Sequence, residues 1–319
     1  MDHSSSPYHP FDNMQFTDYQ CFLCGKFLNK DNGTREHVIP RWLLGQFDLF
    51  DERLTLFNRT LIPYRQVTIP CCNECNSVYL SRIEAIMEAA IKRGADEVRK
   101  INLMTVYVWM GKIFYGLLYR DLSLLASRQD PNAGYLVEKE AMENFRALHS
   151  FLQAARMEIK FEGFFPGSIF IFDLDLPEGF PPFGYSDNPI GMTICLRMGN
   201  VGIIACLKDN GMIYEGLEEL YNKTVNNRLL PVQFDELCAV VFYRAYSMTR
   251  THKFISVSSP IQVPTIYRLP GFSLQPYFSD WDFPLLALFL AEFWKKYGLT
   301  YEEIYQPPQL MTFLRAFFE

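Results

Sequence analysis

No stretch of this sequence stays apolar long enough to cross a bilayer. The longest such run, Phe283 to Ala291, stops at Glu292, far short of the ~20 residues a helical span needs. Positive charge is in deficit as well: 30 Lys+Arg stand against 36 Asp+Glu, a net −6. Residues 1–100 carry −1 (12 against 13) and the remainder −5 (18 against 23). Neither part therefore binds nucleic acid through bulk charge, and any such contact needs a local patch or a partner. Also missing are a Gly-rich phosphate loop, a Ser/His/Asp spacing, an internal repeat and a low-complexity block. The opening MDHSSSPYHPFDNMQ is polar and does not read as a secretory signal. Eight cysteines without such a signal point to a reducing compartment, and to metal ligands or buried thiols rather than disulfides. The expectation is a soluble, cytoplasmic protein.

What is present is an ordinary globular balance, 49% hydrophobic and 21% charged, which excludes general disorder. Aromatics are abundant, with 28 Phe and 18 Tyr, mostly beyond residue 100. Two cysteine pairs carry the strongest chemical signal. Cys21/Cys24 (CFLC) precedes Gly25, and Cys72/Cys75 opens a helical stretch at CCNECN. Each CxxC loop presents two thiolates to one tetrahedral Zn²⁺. The 47 residues between the pairs leave room for a hairpin and an insertion, 45–66. Buried free thiols are the plainer alternative. Cys71 is a spare thiol, and Cys195, Cys206 and Cys238 lie in apolar runs that suit a core. A closed four-cysteine site is structural and leaves no position open for substrate.

Between the pairs lies TREHVIPRWL, in which Glu36 and His37 adjoin. Neighbours on a strand point to opposite faces, so each of the two needs its own surroundings. A short strand at 66–69 follows and leads to a helix over about 76–93, with Val78, Ile83 and Ile86 among its apolar positions and a stop near Gly94. A second helical stretch covers roughly 96–125, where Trp109, Met110, Ile113, Phe114 and Leu117 make an apolar stripe. A helix is expected over 137–156, then strands at SIFIFDL, TICLRM, VGIIACL and FISVSS, with a hairpin turn at Gly199–Asn200. Helical patterns return at 234–249 and 284–297.

The order CxxC, EHVIP, CxxCN resembles the zinc-stapled HNH endonucleases, a branch of the ββα-metal nucleases, over about residues 19–90. The order of elements gives an α+β fold, with a loose tail 1–18, a small four-cysteine module at 19–95 and a larger mixed α+β domain at 96–319 for regulation, partner binding or oligomerisation; the resemblance makes the 19–95 module an HNH-like zinc ββα-metal unit and does not extend to the larger domain. It implies a metal-dependent endonuclease that hydrolyses DNA, leaving 5′-phosphate and 3′-hydroxyl ends. His37 matches the general base, and Asn76 the central Asn that fixes the His strand or touches the metal. Glu36 and Glu84 match the ligands of a catalytic Mg²⁺ or Mn²⁺, while Cys21, Cys24, Cys72 and Cys75 match the structural zinc site. Glu stands where the family usually has Asp, and Glu84 where it usually has His or Asn. Two carboxylates still suit a hard cation, and a neutral imidazole near its ordinary pKa of ~6.5 accepts a proton from water. Arg35 and Arg41 flank the site as phosphate holders or as ordinary surface residues. Glu84 has the alternative of a plain ion pair, and Asn76 that of a helix cap. His149, within FRALHSF, reads as a helix residue without a metal role, and Trp42 as part of the small core.

Two functions from different classes follow. One is the nuclease, with DNA as substrate, a bacterial defence context by analogy, and a protein partner or self-association through the C-terminal domain. The other is a non-catalytic four-cysteine zinc module for recognition or assembly, favoured by the acidic charge and the missing final His.

Overall fold

A computed structural model describes residues 7–14, 16–56, 60–122, 124, 130, 132, 139–259, 262–269 and 275–317. The first part of the chain forms β1 (Gly33–His37), α1 (Arg41–Gln46), β2 (Arg53–Thr55), β3 (Leu61–Pro63) and β4 (Thr68–Cys72). A π-helical turn, Cys75–Leu80, leads into α2 (Ser81–Ile91), then α3 (Ala95–Arg99), α4 (Leu103–Asp121) and α5 (Arg146–Leu152). Strands β5 (Lys160–Glu162), β6 (Ser168–Leu174), β7 (Phe183–Asn188), β8 (Thr193–Met198) and β9 (Val201–Cys206) come next. They are followed by α6 (Met212–Thr224), β10 (Arg228–Leu229), α7 (Pro231–Tyr246), β11 (Phe254–Ser259), β12 (Gln262–Arg268) and α8 (Phe283–Trp294). The start of the helix expected at 137 and most of the tail's first residues lie outside the described residues.

The architecture is mixed α+β in two compact units, each assembled from separate segments. The first comprises Met1–Ala89, Met104–Glu162 and Phe254–Tyr267; the second comprises Ala90–Leu103, Gly163–Lys253 and Arg268–Glu319. The unit that holds the cysteine pairs thus extends well beyond the expected 19–95 module. The reason is α4. Its residues from Val106 to Tyr119 are buried on every side, as befits a helix at the centre of a core, so the stripe expected there is too narrow. Phe22 stacks on Tyr115, and Trp42 on Trp109, at 6.5 and 6.3 Å between ring centroids.

In this first unit β1 and β4 pair antiparallel, Gly33 opposite Cys72 and His37 opposite Thr68. The strand expected at 66–69 in fact starts at Thr68 and runs through Pro70 to Cys72. A β2–β3 hairpin fills part of the insertion. Helix α4 lies close on the β1–β4 pair because position 116 is glycine: a Cβ there would meet Val38 at 3.0 Å and Ile69 at 3.4 Å. One turn earlier on the same face stands Lys112. On α2 the buried residues are Met87, Ala90 and Ile91, whereas Val78 and Ile86 are 57% and 40% exposed. The π turn explains the difference, since its wider winding moves the apolar face off the plain 3.6-residue register.

In the second unit β10, β6, β9, β8 and β7 form one sheet in that order. The Gly199–Asn200 turn joins β8 to β9 with Met198 opposite Val201. Phe170 and Phe172 of β6 share a core with Phe234 and Leu237 of α7 and with Leu290 and Trp294 of α8. Two buried acids of this unit accept hydrogen bonds from its own elements. Asp209 accepts from Ser168 Oγ at 2.5 Å and from the Ile213 amide at 2.8 Å. Glu236 accepts from Thr312 Oγ1 at 2.5 Å and from the Phe313 amide at 2.7 Å. Cys195, Cys206 and Cys238 are buried. Among the described residues no helix is long and apolar enough to cross a membrane.

Candidate metal centre

The first knuckle closes on itself through short-range hydrogen bonds. The Gly25 amide donates to the Cys21 carbonyl, and the Cys21 amide to the Lys26 carbonyl, both at 2.9 Å. Gly25 sits at φ +72°, and a Cβ there would fall 2.3 Å from the Tyr8 ring; both facts demand glycine. The Phe22 amide donates to the Pro70 carbonyl at 3.0 Å, which brings the first pair against β4 and so against the second. The four sulfurs of Cys21, Cys24, Cys72 and Cys75 all lie within 4.8 Å of one another and are buried. Cys24 Sγ and Cys72 Sγ are 3.7 Å apart, close to the ~3.8 Å edge of a tetrahedron with ~2.3 Å Zn–S bonds. It is the one such cluster among the described residues.

Four thiols in so small a volume perturb one another. Hydrogen bonds from Cys21, Cys24 and Cys75 hold the Cys72 thiol well below its ordinary range. Contacts with Cys21 and its neighbours push Cys24 and Cys75 up. A divalent cation resolves this conflict by stabilising all four thiolates together. The donor set, spacing and burial fit a structural zinc ion. Cys71 Sγ lies 3.9 Å from Cys21 Sγ and stays outside the cluster.

From α5 and the residues just past it, two buried side chains grip the knuckle's carbonyls. His149 Nε2 donates to the Phe22 carbonyl at 2.8 Å, and Gln153 Nε2 to the Leu23 carbonyl at 2.9 Å. His149, expected to be a plain helix residue, thus ties the first cysteine loop to α5. Burial pulls its imidazole down to about 4, against the opposing Phe22 hydrogen bond. Below its unfolded pKa of ~6.5 the unfolded chain binds a proton that the folded chain does not. This contribution is therefore complete above that pH and is lost progressively as pH falls towards the folded value. Between pH 7 and 5.5 we expect a loss of about 1 kcal/mol from His149. His149→Gln, whose amide still donates to Phe22, should flatten that slope in urea unfolding with zinc content monitored. An unchanged slope in the variant would assign the pH dependence elsewhere.

On β1 the adjacent acid and imidazole do face different surroundings. Glu36 is 6% exposed, while His37 is half-buried. Burial lowers the His37 imidazole, and the charges of Arg41 and Lys112 lower it further; Glu84 and a backbone hydrogen bond to Arg65 work the other way. Asn76, in the π turn, donates from Nδ2 to Thr34 Oγ1 at 2.8 Å and to the Arg35 carbonyl at 3.4 Å. It thereby fastens the helix start to β1. Arg35 bonds Asp18 at 2.9 Å, and Thr68 through both its hydroxyl and its carbonyl. Arg41 is exposed.

Glu36 and Glu84 are brought together around Lys112. Lys112 is 2% exposed, and its Nζ donates to Glu36 Oε1 at 2.8 Å and Glu84 Oε1 at 2.7 Å. The same ammonium reaches the His37 and Val38 carbonyls at 3.1 and 3.3 Å. Burial pulls Lys112 down, yet the two carboxylates hold it above its ordinary value. Burial pushes Glu84 up, against the Lys112 charge. A signal for Lys112 existed: it is the single charge between Leu103 and Tyr119 in LMTVYVWMGKIFYGLLY. A lysine buried within so apolar a stretch requires a buried counter-charge.

Compared with known protein families, with curated proteins and with solved structures, the chain matches none.

Proposed function

We propose that this protein is a zinc-stapled recognition or assembly module that keeps part of an HNH-like frame without hydrolysing phosphodiesters. The observation that carries this reading is the closure of Glu36 and Glu84 on Lys112 Nζ at 2.8 and 2.7 Å. A hydrolytic cation must polarise a phosphoryl oxygen and lower the pKa of a bound water. It needs both acids free of a competing charge, with at least one face open. Here an ammonium engages both acids, and it is buried. The zinc cluster supplies stability rather than chemistry, because four thiolates leave no open position. Its role in this reading is to present the β1–β4 pair and the following helix to a partner, with the exposed Val78 and Ile86 on that helix. The overall acidity speaks against naked DNA as that partner; a protein or a second copy of the chain suits it better.

The nuclease is the second reading, favoured by Asn76, whose bonds to Thr34 and Arg35 fasten β1 beside His37. Plasmid nicking and RNA cleavage separate the two. With zinc-loaded full-length chain and either Mg²⁺ or Mn²⁺, we expect no cleavage above that of His37→Ala. Metal-dependent cleavage that His37→Ala abolishes, by a general-base loss of ~10²–10⁴-fold, would establish the nuclease instead.

A further inference from the structure

The surroundings of Lys112 have the composition of a hard-cation site. Two carboxylate oxygens from separate elements, Glu36 on β1 and Glu84 on α2, and two backbone carbonyls, His37 and Val38, converge on one point. Divalent Mg²⁺, Mn²⁺ and Ca²⁺ are bound by such oxygen sets. The point is filled by the end of a covalently attached side chain. That side chain stands one helical turn before Gly116, whose lack of a Cβ lets α4 sit against Val38 and Ile69.

We infer that Lys112 is the resident cation of this oxygen cage, so that the native chain takes no divalent ion there, and that removing the lysine side chain turns the cage into a divalent-cation site. The inference rests on the non-hydrolytic reading of the same residues, but its test measures metal binding and not cleavage, so the two can fail separately. The charge balance supports it. Two carboxylates and one ammonium leave a single net negative charge, small enough to bury with hydrogen bonds. Two carboxylates alone would leave two negative charges with no counter-ion, and a divalent ion restores neutrality. Entropy favours the lysine, because a tethered ammonium needs no capture from solution. A divalent ion competing for the native cage must displace a buried ammonium whose other neighbours on α4 are buried apolar side chains, where an unpaired charge is costly.

The test is Mn²⁺ binding to zinc-loaded full-length protein, followed by electron paramagnetic resonance. Wild type should show no bound Mn²⁺ that depends on Glu84. Lys112→Ala should lose about 10 °C in melting temperature, because its two acids are left buried and uncompensated. Millimolar Mn²⁺ should restore much of that loss, with one ion bound per chain, and Lys112→Ala/Glu84→Gln should bind none. A folded, zinc-containing Lys112→Ala that binds no Mn²⁺ would overturn the inference. So would wild-type Mn²⁺ binding that Glu84→Gln abolishes, an arm that needs no folded Lys112→Ala.

Discussion

Cys72→Ser is expected to leave the chain without zinc and with its first unit unfolded. The binding free energy of a structural zinc ion is folding free energy, about 10–16 kcal/mol in small Cys/His modules, as large as the whole net stability of most domains, ~5–15 kcal/mol. Serine offers no thiolate, and Cys72 touches both knuckles: its Sγ lies 3.7 Å from Cys24 Sγ and accepts from the Cys75 amide at 3.4 Å. Loss of the cluster also releases the Phe22 and Leu23 carbonyls held by His149 and Gln153. Disorder should therefore spread through the first unit and expose Trp42 and Trp109. Trp281 and Trp294 belong to the second unit and should keep their native emission. Elemental analysis and tryptophan fluorescence check this, with Cys71→Ser as the control that keeps its zinc. Zinc retained by Cys72→Ser but lost from Cys71→Ser would move the ligand one residue along β4.

The second large effect concerns the buried charge triad. Glu36→Leu leaves the Lys112 ammonium buried with Glu84 as its remaining carboxylate. Breaking a buried pair by removing one partner costs about 3–5 kcal/mol, and we expect a loss of that order in urea unfolding of the zinc-loaded protein. Zinc content should not change, since no thiolate is touched. The triple variant Glu36→Leu/Glu84→Leu/Lys112→Met should recover most of the loss, because a packed apolar replacement of a buried ion pair is often neutral or better. A Glu36→Leu cost below about 1 kcal/mol would mean a solvated pair of the surface kind, and the closed cage would be wrong.

The parts of this molecule legible in its sequence are those whose physics is local. CxxC spacing reports chelation directly, because two thiolates three residues apart face one ion, and the four ligands assemble as their spacing implied. SIFIFDL, TICLRM and VGIIACL are buried on both faces nearly throughout and show as apolar runs with few polar interruptions. Gly199–Asn200 has the turn chemistry of a tight hairpin. What escaped depends on residues far apart in the chain. Lys112 and Glu36 are separated by 76 positions, and no periodicity links them. Val78 and Ile86 read as a buried face only on a regular α-helix, and the π turn at Cys75–Leu80 undoes that register. The first unit is threaded from three segments, so no boundary in composition marks its edge. His149 looked idle because the carbonyl it holds, that of Phe22, is 127 residues away.

Wild type should carry one metal, held by thiolates, while its carboxylate pair stays closed by Lys112. Native mass spectrometry of the full-length protein, equilibrated with Zn²⁺ and excess Mg²⁺ or Mn²⁺, tests both halves at once. The expected mass is that of the chain plus one zinc ion, lost in Cys72→Ser, with no second ion in wild type. A chain without zinc, or one that carries zinc together with a Mg²⁺ or Mn²⁺ ion lost in Glu84→Gln, would contradict it.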